Sequence, residues 1–293
     1  MEGRMFNNQE RAQTLVEALP YIQKFYGKVV VIKYGGNAMI SPELFDAVIE
    51  DIVLLRLVGV NVVLVHGGGP EINEAIKKMG MEPKFVNGLR YTDKETMEVV
   101  QSMLCGKVNK DLVSKFQRKG AAAIGVCGLD DGLMKAVKYG DGELGYVGEI
   151  TEVNPDILFR ALEDGLIPVV ATVAHGIDEE TAYNINADTA AAKLAVALGA
   201  AKMILLTNTL GVLREFGDDS TLIKVIRLSD IDELREQNII AGGMLPKIDC
   251  CAEAVRGGVK RTHILDGRIP HSILIEMLTT AGAGTMITGD ETA

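Results

Sequence analysis

Lys28-Val29-Val30-Val31-Ile32-Lys33-Tyr34-Gly35-Gly36-Asn37-Ala38 is a short β-branched run that ends on a lysine and opens onto bare backbone. The same plan returns one unit later in Asn61-Val62-Val63-Leu64-Val65-His66-Gly67-Gly68-Gly69-Pro70-Glu71. Both apolar runs read as buried strands. Each leads through glycine into a helical stretch, 42–57 after the first and 70–79 after the second. Strand, glycine turn, helix and strand again mean a parallel sheet with crossover helices.

Outward from that pair the alternation continues. Strands are expected at 122–126, 167–172, 202–207 and 261–265, and a hairpin with glycine turns at 135–151. Helices are expected over most of 92–119 and at 155–163, 187–198, 231–237, 246–256 and 271–278. No fixed-period repeat and no low-complexity linker interrupts the chain, so one continuous sheet with two lobes is expected. Ahead of it, Ala12, Leu15, Val16, Leu19, Ile22 and Tyr26 recur at helical spacing with Pro20 among them. Proline inside a helix removes a hydrogen bond and clashes with the preceding turn, so residues 9–26 should form a kinked helix or two short ones.

The composition narrows the function. A chain of 293 residues that is 47% hydrophobic and 24% charged can bury a globular core. Its net charge of −10 argues against nucleic acid or an anionic membrane surface as a partner. No apolar run approaches the ~18–20 residues of a membrane span, and the polar, acidic N-terminus is unlike a signal peptide. Cys105, Cys127, Cys250 and Cys251 have neither zinc nor disulfide-framework spacing, which suggests reduced thiols in a cytoplasmic protein. There are 32 glycines against 8 prolines, and clustered glycine marks sharp turns or backbone that approaches a ligand.

Those clusters carry the chemistry. Lys33 with Gly35 and Gly36 can share the charge of a polyphosphate between amide N–H groups and one ammonium. Gly67, Gly68 and Gly69 open the next helix, where Pro70 suits the first turn, and leave unpaired N–H donors directed at the same space. In parallel α/β sheets the ligand crevice lies at the carboxyl ends of the strands, where both loops fall. His66 reads as a packed strand-end residue rather than a base. Neither a Walker loop nor a dinucleotide fingerprint occurs, so a nucleotide would be held another way. Asn184-Ile185-Asn186-Ala187-Asp188 stands before an alanine-rich helix with more polar groups than a cap requires. Gly242-Gly243-Met244-Leu245-Pro246-Lys247 puts a second lysine beside a glycine loop. Lys33 and Lys247 would then converge as a clamp on a transferring phosphoryl group, and Arg90 in Asn87-Gly88-Leu89-Arg90 could grip a carboxylate.

In order and spacing these motifs resemble the N-acetylglutamate kinases of the amino acid kinase superfamily, over nearly the whole chain. The resemblance implies an α/β fold, a three-layer αβα sandwich around a mainly parallel central sheet. Residues 27–183 would bind acetylglutamate and dimerise, and residues 184–293 would bind the nucleotide. The reaction implied is ATP-dependent phosphorylation of the γ-carboxylate of N-acetyl-L-glutamate in arginine biosynthesis, with Mg2+ accompanying ATP and no tightly bound cofactor or protein-held metal. Lys33 and Lys247 would stabilise the phosphoryl group and Asp188 would orient them. Gly68, Gly69, Arg90 and Asn184 would bind acetylglutamate, while Gly35, Gly36, Thr207, Asn208 and Gly211 would face the nucleotide. Arginine-inhibited members are similar in carrying a kinked N-terminal helix, which implies a hexamer built as a trimer of dimers through residues 1–26. They are also similar in the C-terminal segment, which implies an L-arginine site at His271, Glu276 and Gly284. Removing residues 1–26 is then expected to leave a competent, smaller oligomer.

Two alternatives remain beside this reading: a sibling kinase of carbamate, glutamate or aspartate, and a catalytically weak arginine-binding subunit. A dehydrogenase is disfavoured by the missing fingerprint. The sequence also departs from the family pattern at His175 and at Asn208, where the resemblance implies an aspartate on the nucleotide side. Restoring that charge with Asn208→Asp is expected to change the Michaelis constant for the nucleotide; equal constants for the two proteins would make the departure neutral.

Overall fold

The computed structural model describes residues 7–35, 41–86, 88–177 and 179–291. Two short helices come first, α1 (Asn8–Glu17) and α2 (Leu19–Phe25). Pro20 stands in the first turn of α2, where its missing N–H has no intrahelical partner to lose. The chain continues through β1 (Val29–Tyr34), α3 (Pro42–Leu57), β2 (Asn61–His66), α4 (Gly69–Lys78), the hairpin β3 (Phe85–Val86) and β4 (Leu89–Arg90), α5 (Lys94–Gln101) and α6 (Asn109–Arg118). It then forms β5 (Ala123–Gly128), β6 (Met134–Lys138), β7 (Gly148–Val153), α7 (Asp156–Glu163), β8 (Ile167–Gly176), β9 (Ala182–Asn184), α8 (Ala187–Ala197) and β10 (Lys202–Thr207). The last elements are β11 (Val225–Arg227), α9 (Ile231–Glu236), α10 (Leu245–Arg256), β12 (Arg261–Asp266), α11 (Ser272–Leu278) and β13 (Thr285–Thr288).

One sheet runs through the described residues in the order β11-β13-β12-β10-β1-β2-β8-β6-β7, with β5 and β9 also paired to β8. Its centre, from β12 through β10, β1 and β2 to β8, is parallel. Antiparallel pairs enter at β13, β7 and β9. The sheet is mainly parallel and lies between two helical layers, as the sequence predicts.

Alternation along β1 assigns the layers. Successive side chains of a strand point to opposite faces. Val30, Ile32 and Tyr34 join a core with Ile49 and Ile52 of α3, Leu112 and Phe116 of α6, and Ile273 and Met277 of α11. Val31 joins the opposite core, with Ala191 and Leu194 of α8 and Ile248 and Cys251 of α10. Lys33 has the parity of Val31, so it leaves the sheet on the α8–α10 side.

Three sequence expectations change in detail. The strand expected at 167–172 extends to Gly176, because β6 and β9 both pair with its far end. The long helical region at 92–119 contains a π-helical segment, Ser102–Val108, between α5 and α6. His271 adopts a left-handed conformation (φ 60°) as the N-cap of α11 and stands outside the helix it was expected to open.

Candidate active site

The parity of β1 brings a lysine to the start of α8. Lys33 Nζ lies 2.9 Å from Asp188 Oδ1, and Lys247 Nζ lies 2.7 Å from Asp188 Oδ2. Asn186 caps α8 by accepting from the backbone N–H groups of Asp188 and Thr189, which fixes Asp188 in the first turn. Lys247 arrives from the first turn of α10, where Pro246 sets the entry and a 3₁₀ turn, Gly242–Met244, precedes it. Burial pushes the Asp188 carboxyl up, but the charges of Lys33 and Lys247 outweigh it and hold the group at about 2. The carboxylate is therefore ionised near neutral pH, and both its oxygens face ammonium groups.

The two glycine loops meet beside this pair. Gly67 N–H donates to Tyr34 O at 3.1 Å, and a Cβ on Gly35 would stand 3.1 Å from Gly67 N, so a side chain at residue 35 would crowd the Gly67 backbone. Gly68 is the N-cap of α4 with no side-chain cap, leaving the helix's first N–H groups for another acceptor. A Cβ on Gly68 would meet Leu104 Cδ2 at 2.8 Å, which ties the loop to the π-helical segment. Gly36 lies outside the described residues.

Arg90 and Asn184 are joined through a residue the sequence reading did not single out. Thr92, fully buried, donates from Oγ1 to Arg90 O at 3.0 Å and accepts from Asn184 Nδ2 at 3.2 Å. The Arg90 guanidinium donates through Nη2 to Gly69 O at 3.3 Å and to Asn73 Oδ1 at 2.6 Å, and it lies over the Phe85 ring at 4.7 Å. Its Nη1 is buried with no protein partner among the described residues. His66 is a packing residue, as its sequence position suggests. Burial drops its imidazole to about 4, and the neutral ring, with its proton placed on Nδ1, donates to Gly67 O while Nε2 accepts from Asn109.

Residues 28–266 match the amino acid kinase family. An acetylglutamate kinase of Clostridium beijerinckii is 56% identical over 97% of this chain and 100% of its own length. The chain belongs to the acetylglutamate kinases, within the amino acid kinase family. Among solved structures, an N-acetylglutamate synthase of Neisseria gonorrhoeae with coenzyme A and N-acetyl-glutamate superposes with a TM-score of 0.82 at 27% identity, over 94% of this chain and 63% of the synthase. The synthase has also been solved with coenzyme A and L-arginine, and matches there at a TM-score of 0.78 and 26% identity over 94% and 65%. A carbamate kinase of Giardia lamblia bound to AMP-PNP shares the fold, with a TM-score of 0.65 at 19% identity over 90% and 99%.

In this acetylglutamate kinase fold, the remaining expected residues fall at two ends of the sheet. Thr207 closes β10 and bonds through Oγ1 to Leu265 O at 3.2 Å, with Asn208 exposed immediately beyond it. Gly211 is packed against Thr285, and a Cβ there would stand 3.0 Å from Thr285 N. His175 is exposed on β8, paired with Lys135 and Ala182, and nothing in these contacts explains its departure from the family pattern.

At the opposite strand ends, Glu276 and Gly284 line a cavity of about 450 Å3 together with Tyr21, Lys24 and Phe25 of α2. Lys202 donates to Glu276 Oε1 at 2.6 Å, and Ala283 N–H donates to Oε2 at 3.0 Å. His271 does not line this cavity. It sits at the other end of α11, where its Nδ1 bonds Asp51 Oδ1 at 2.6 Å.

Asp188→Asn removes the charge that holds two lysines together, and it is expected to lower turnover about 100-fold by letting them separate. Because the folded carboxyl titrates below its ordinary 3.8, Asp188 adds stability that is present above that pH and lost as the pH falls toward about 2. Acid unfolding of Asp188→Asn should lack this component. Wild-type turnover in the variant would contradict the assignment.

Proposed function

We propose that the protein transfers the γ-phosphoryl group of ATP to the γ-carboxylate of N-acetyl-L-glutamate, and that L-arginine inhibits it. The observation that carries the first part is the convergence of Lys33 and Lys247 on Asp188 at the carboxyl ends of the parallel strands, beside an uncapped helix start. A side-chain carboxylate has an ordinary pKa of about 4.3, so the nucleophile is ionised near neutral pH and requires no general base. The obstacle is the approach of two anions. Amide N–H groups at the start of α4 and the two ammonium groups lower it, while in-line attack of the carboxylate oxygen on phosphorus releases ADP and leaves an acyl phosphate.

Arg90 supports an α-carboxylate on the substrate, because Nη1 of its buried guanidinium has no protein partner among the described residues. This favours acetylglutamate over carbamate, which has no second carboxylate to meet it. Asn184 beside it is a second polar contact for the same ligand. The nucleotide would lie over Gly35, Gly36, Thr207, Asn208 and Gly211, across residues 184–293 and the end of β1. Magnesium would come with ATP: both oxygens of Asp188 already face ammonium groups, so this carboxylate does not suit a protein-held cation.

Arginine fits the cavity between α2 and the C-terminal segment. Its volume is within the ~300–1,000 Å3 of small-molecule sites. Its lining includes a carboxylate, Glu276, which Lys202 and the Ala283 N–H hold in place and which a guanidinium would share, and the cations Lys24, Lys224 and Arg261 for a carboxylate. The hexamer is supported by α1, which buries none of its residues on its own chain and leaves Leu15 75% and Val16 60% exposed. The cut that tests it must spare α2, because Phe25 is buried in the core.

The full-length enzyme is expected to form ADP when supplied with N-acetyl-L-glutamate, with little formed on glutamate, aspartate or carbamate, and arginine should suppress it. Lys247→Ala should abolish turnover while arginine binding persists. That result would exclude a regulatory subunit without catalysis, whereas normal turnover would refute the lysine assignment. Deleting residues 1–18 should give an active, smaller oligomer with a weakened arginine response. A truncated enzyme that remained hexameric and fully inhibited would count against the role of α1.

A further inference from the structure

Gly69 and Asn73 are four residues apart on α4 and so lie one above the other on the same face. Arg90 Nη2 reaches both, using its two protons on Gly69 O and Asn73 Oδ1. Phe85 covers the guanidinium from one face. The group is thus held along one edge and one face, while Nη1 remains buried and unpartnered among the described residues. Both acceptors are neutral. Arg90 forms no ion pair among the described residues, although its side chain is largely buried, at 8% relative exposure. A buried charge without a counter-charge is costly, and a ligand that supplies the counter-charge recovers that cost.

We infer that Asn73 is a positioning residue for substrate recognition: its neutral hydrogen bond aims the Arg90 guanidinium while leaving the whole positive charge for a carboxylate of the substrate. The inference rests on the reading of Arg90 as the carboxylate-binding group. An aspartate at residue 73 would have nearly the same shape and would keep the bond to Nη2. It would also neutralise the cation the substrate needs. A purely structural hydrogen bond and a charge-preserving one therefore predict opposite results for one isosteric change.

The test uses the full-length enzyme and compares Asn73→Asp, Asn73→Ala and Arg90→Ala by steady-state kinetics and thermal unfolding. Asn73→Asp is expected to raise KM for N-acetyl-L-glutamate at least tenfold, with KM for ATP unchanged and a midpoint of unfolding equal to or above wild type. Asn73→Ala should raise the same constant by a smaller factor, because the aim is lost but the charge remains. It keeps the test open should the aspartate variant fold poorly. If Arg90→Ala loses acetylglutamate affinity while both Asn73 variants bind it as wild type does, the role of Asn73 is refuted and the Arg90 reading stands. If Arg90→Ala also keeps wild-type affinity, the reading and the inference fall together. Equal rises in both Michaelis constants with a lowered unfolding midpoint would assign Asn73 a structural role and overturn the inference.

Discussion

A buried carboxylate between two ammonium groups organises this molecule. Desolvation alone favours the neutral form of the Asp188 carboxyl. Lys33 and Lys247 reverse that balance, and in doing so each is drawn to the carboxyl end of the sheet. The three residues come from β1, α8 and α10, so the ion pairs also register two helices against the central strand. Two mutually repelling cations are thereby kept in one small space.

The sheet gives the rest of the site its coordinates. β1, β2 and β10 run in parallel, so Lys33, the loop after His66 and Thr207 all emerge at one end. The cavity with Glu276 opens at the other end, where β10 starts at Lys202 and β12 at Arg261. A six-residue strand separates the ends by roughly 17 Å at ~3.3 Å per residue. β10 spans both ends. Lys202 holds Glu276 at one end of that strand, and Thr207 holds Leu265 O at the other.

Much of this was legible in the sequence. Strand alternation assigns Lys33 to a face, glycine after a strand marks where backbone must approach backbone, and Asn186 before an alanine-rich helix fixes the start of α8. These are local signals, each carried by residues a few positions apart. Asn73, Phe85 and Thr92 escaped because nothing in their own neighbourhoods distinguishes them. Asn73 reads as a helix-surface polar residue until the β3–β4 hairpin folds Arg90 against it. The spacing of Gly69 and Asn73 was the available clue, since residues four apart on a helix share a face. His271 and Glu276 are separated by the fold: the resemblance implies one arginine site for both, but His271 caps the N-terminal end of α11 against Asp51 of α3, while Glu276 lies farther along the same helix and lines the cavity.

The most direct measurement is of the Asp188 carboxyl itself, followed by carbon-13 NMR through an acid titration, with Asp188→Asn used to assign the resonance. The account predicts a carboxylate that stays ionised down to about pH 2 and titrates upward toward the ordinary range when Lys247 is replaced by alanine. A midpoint near 3.8 in the wild type, unmoved by loss of the lysine, would contradict it.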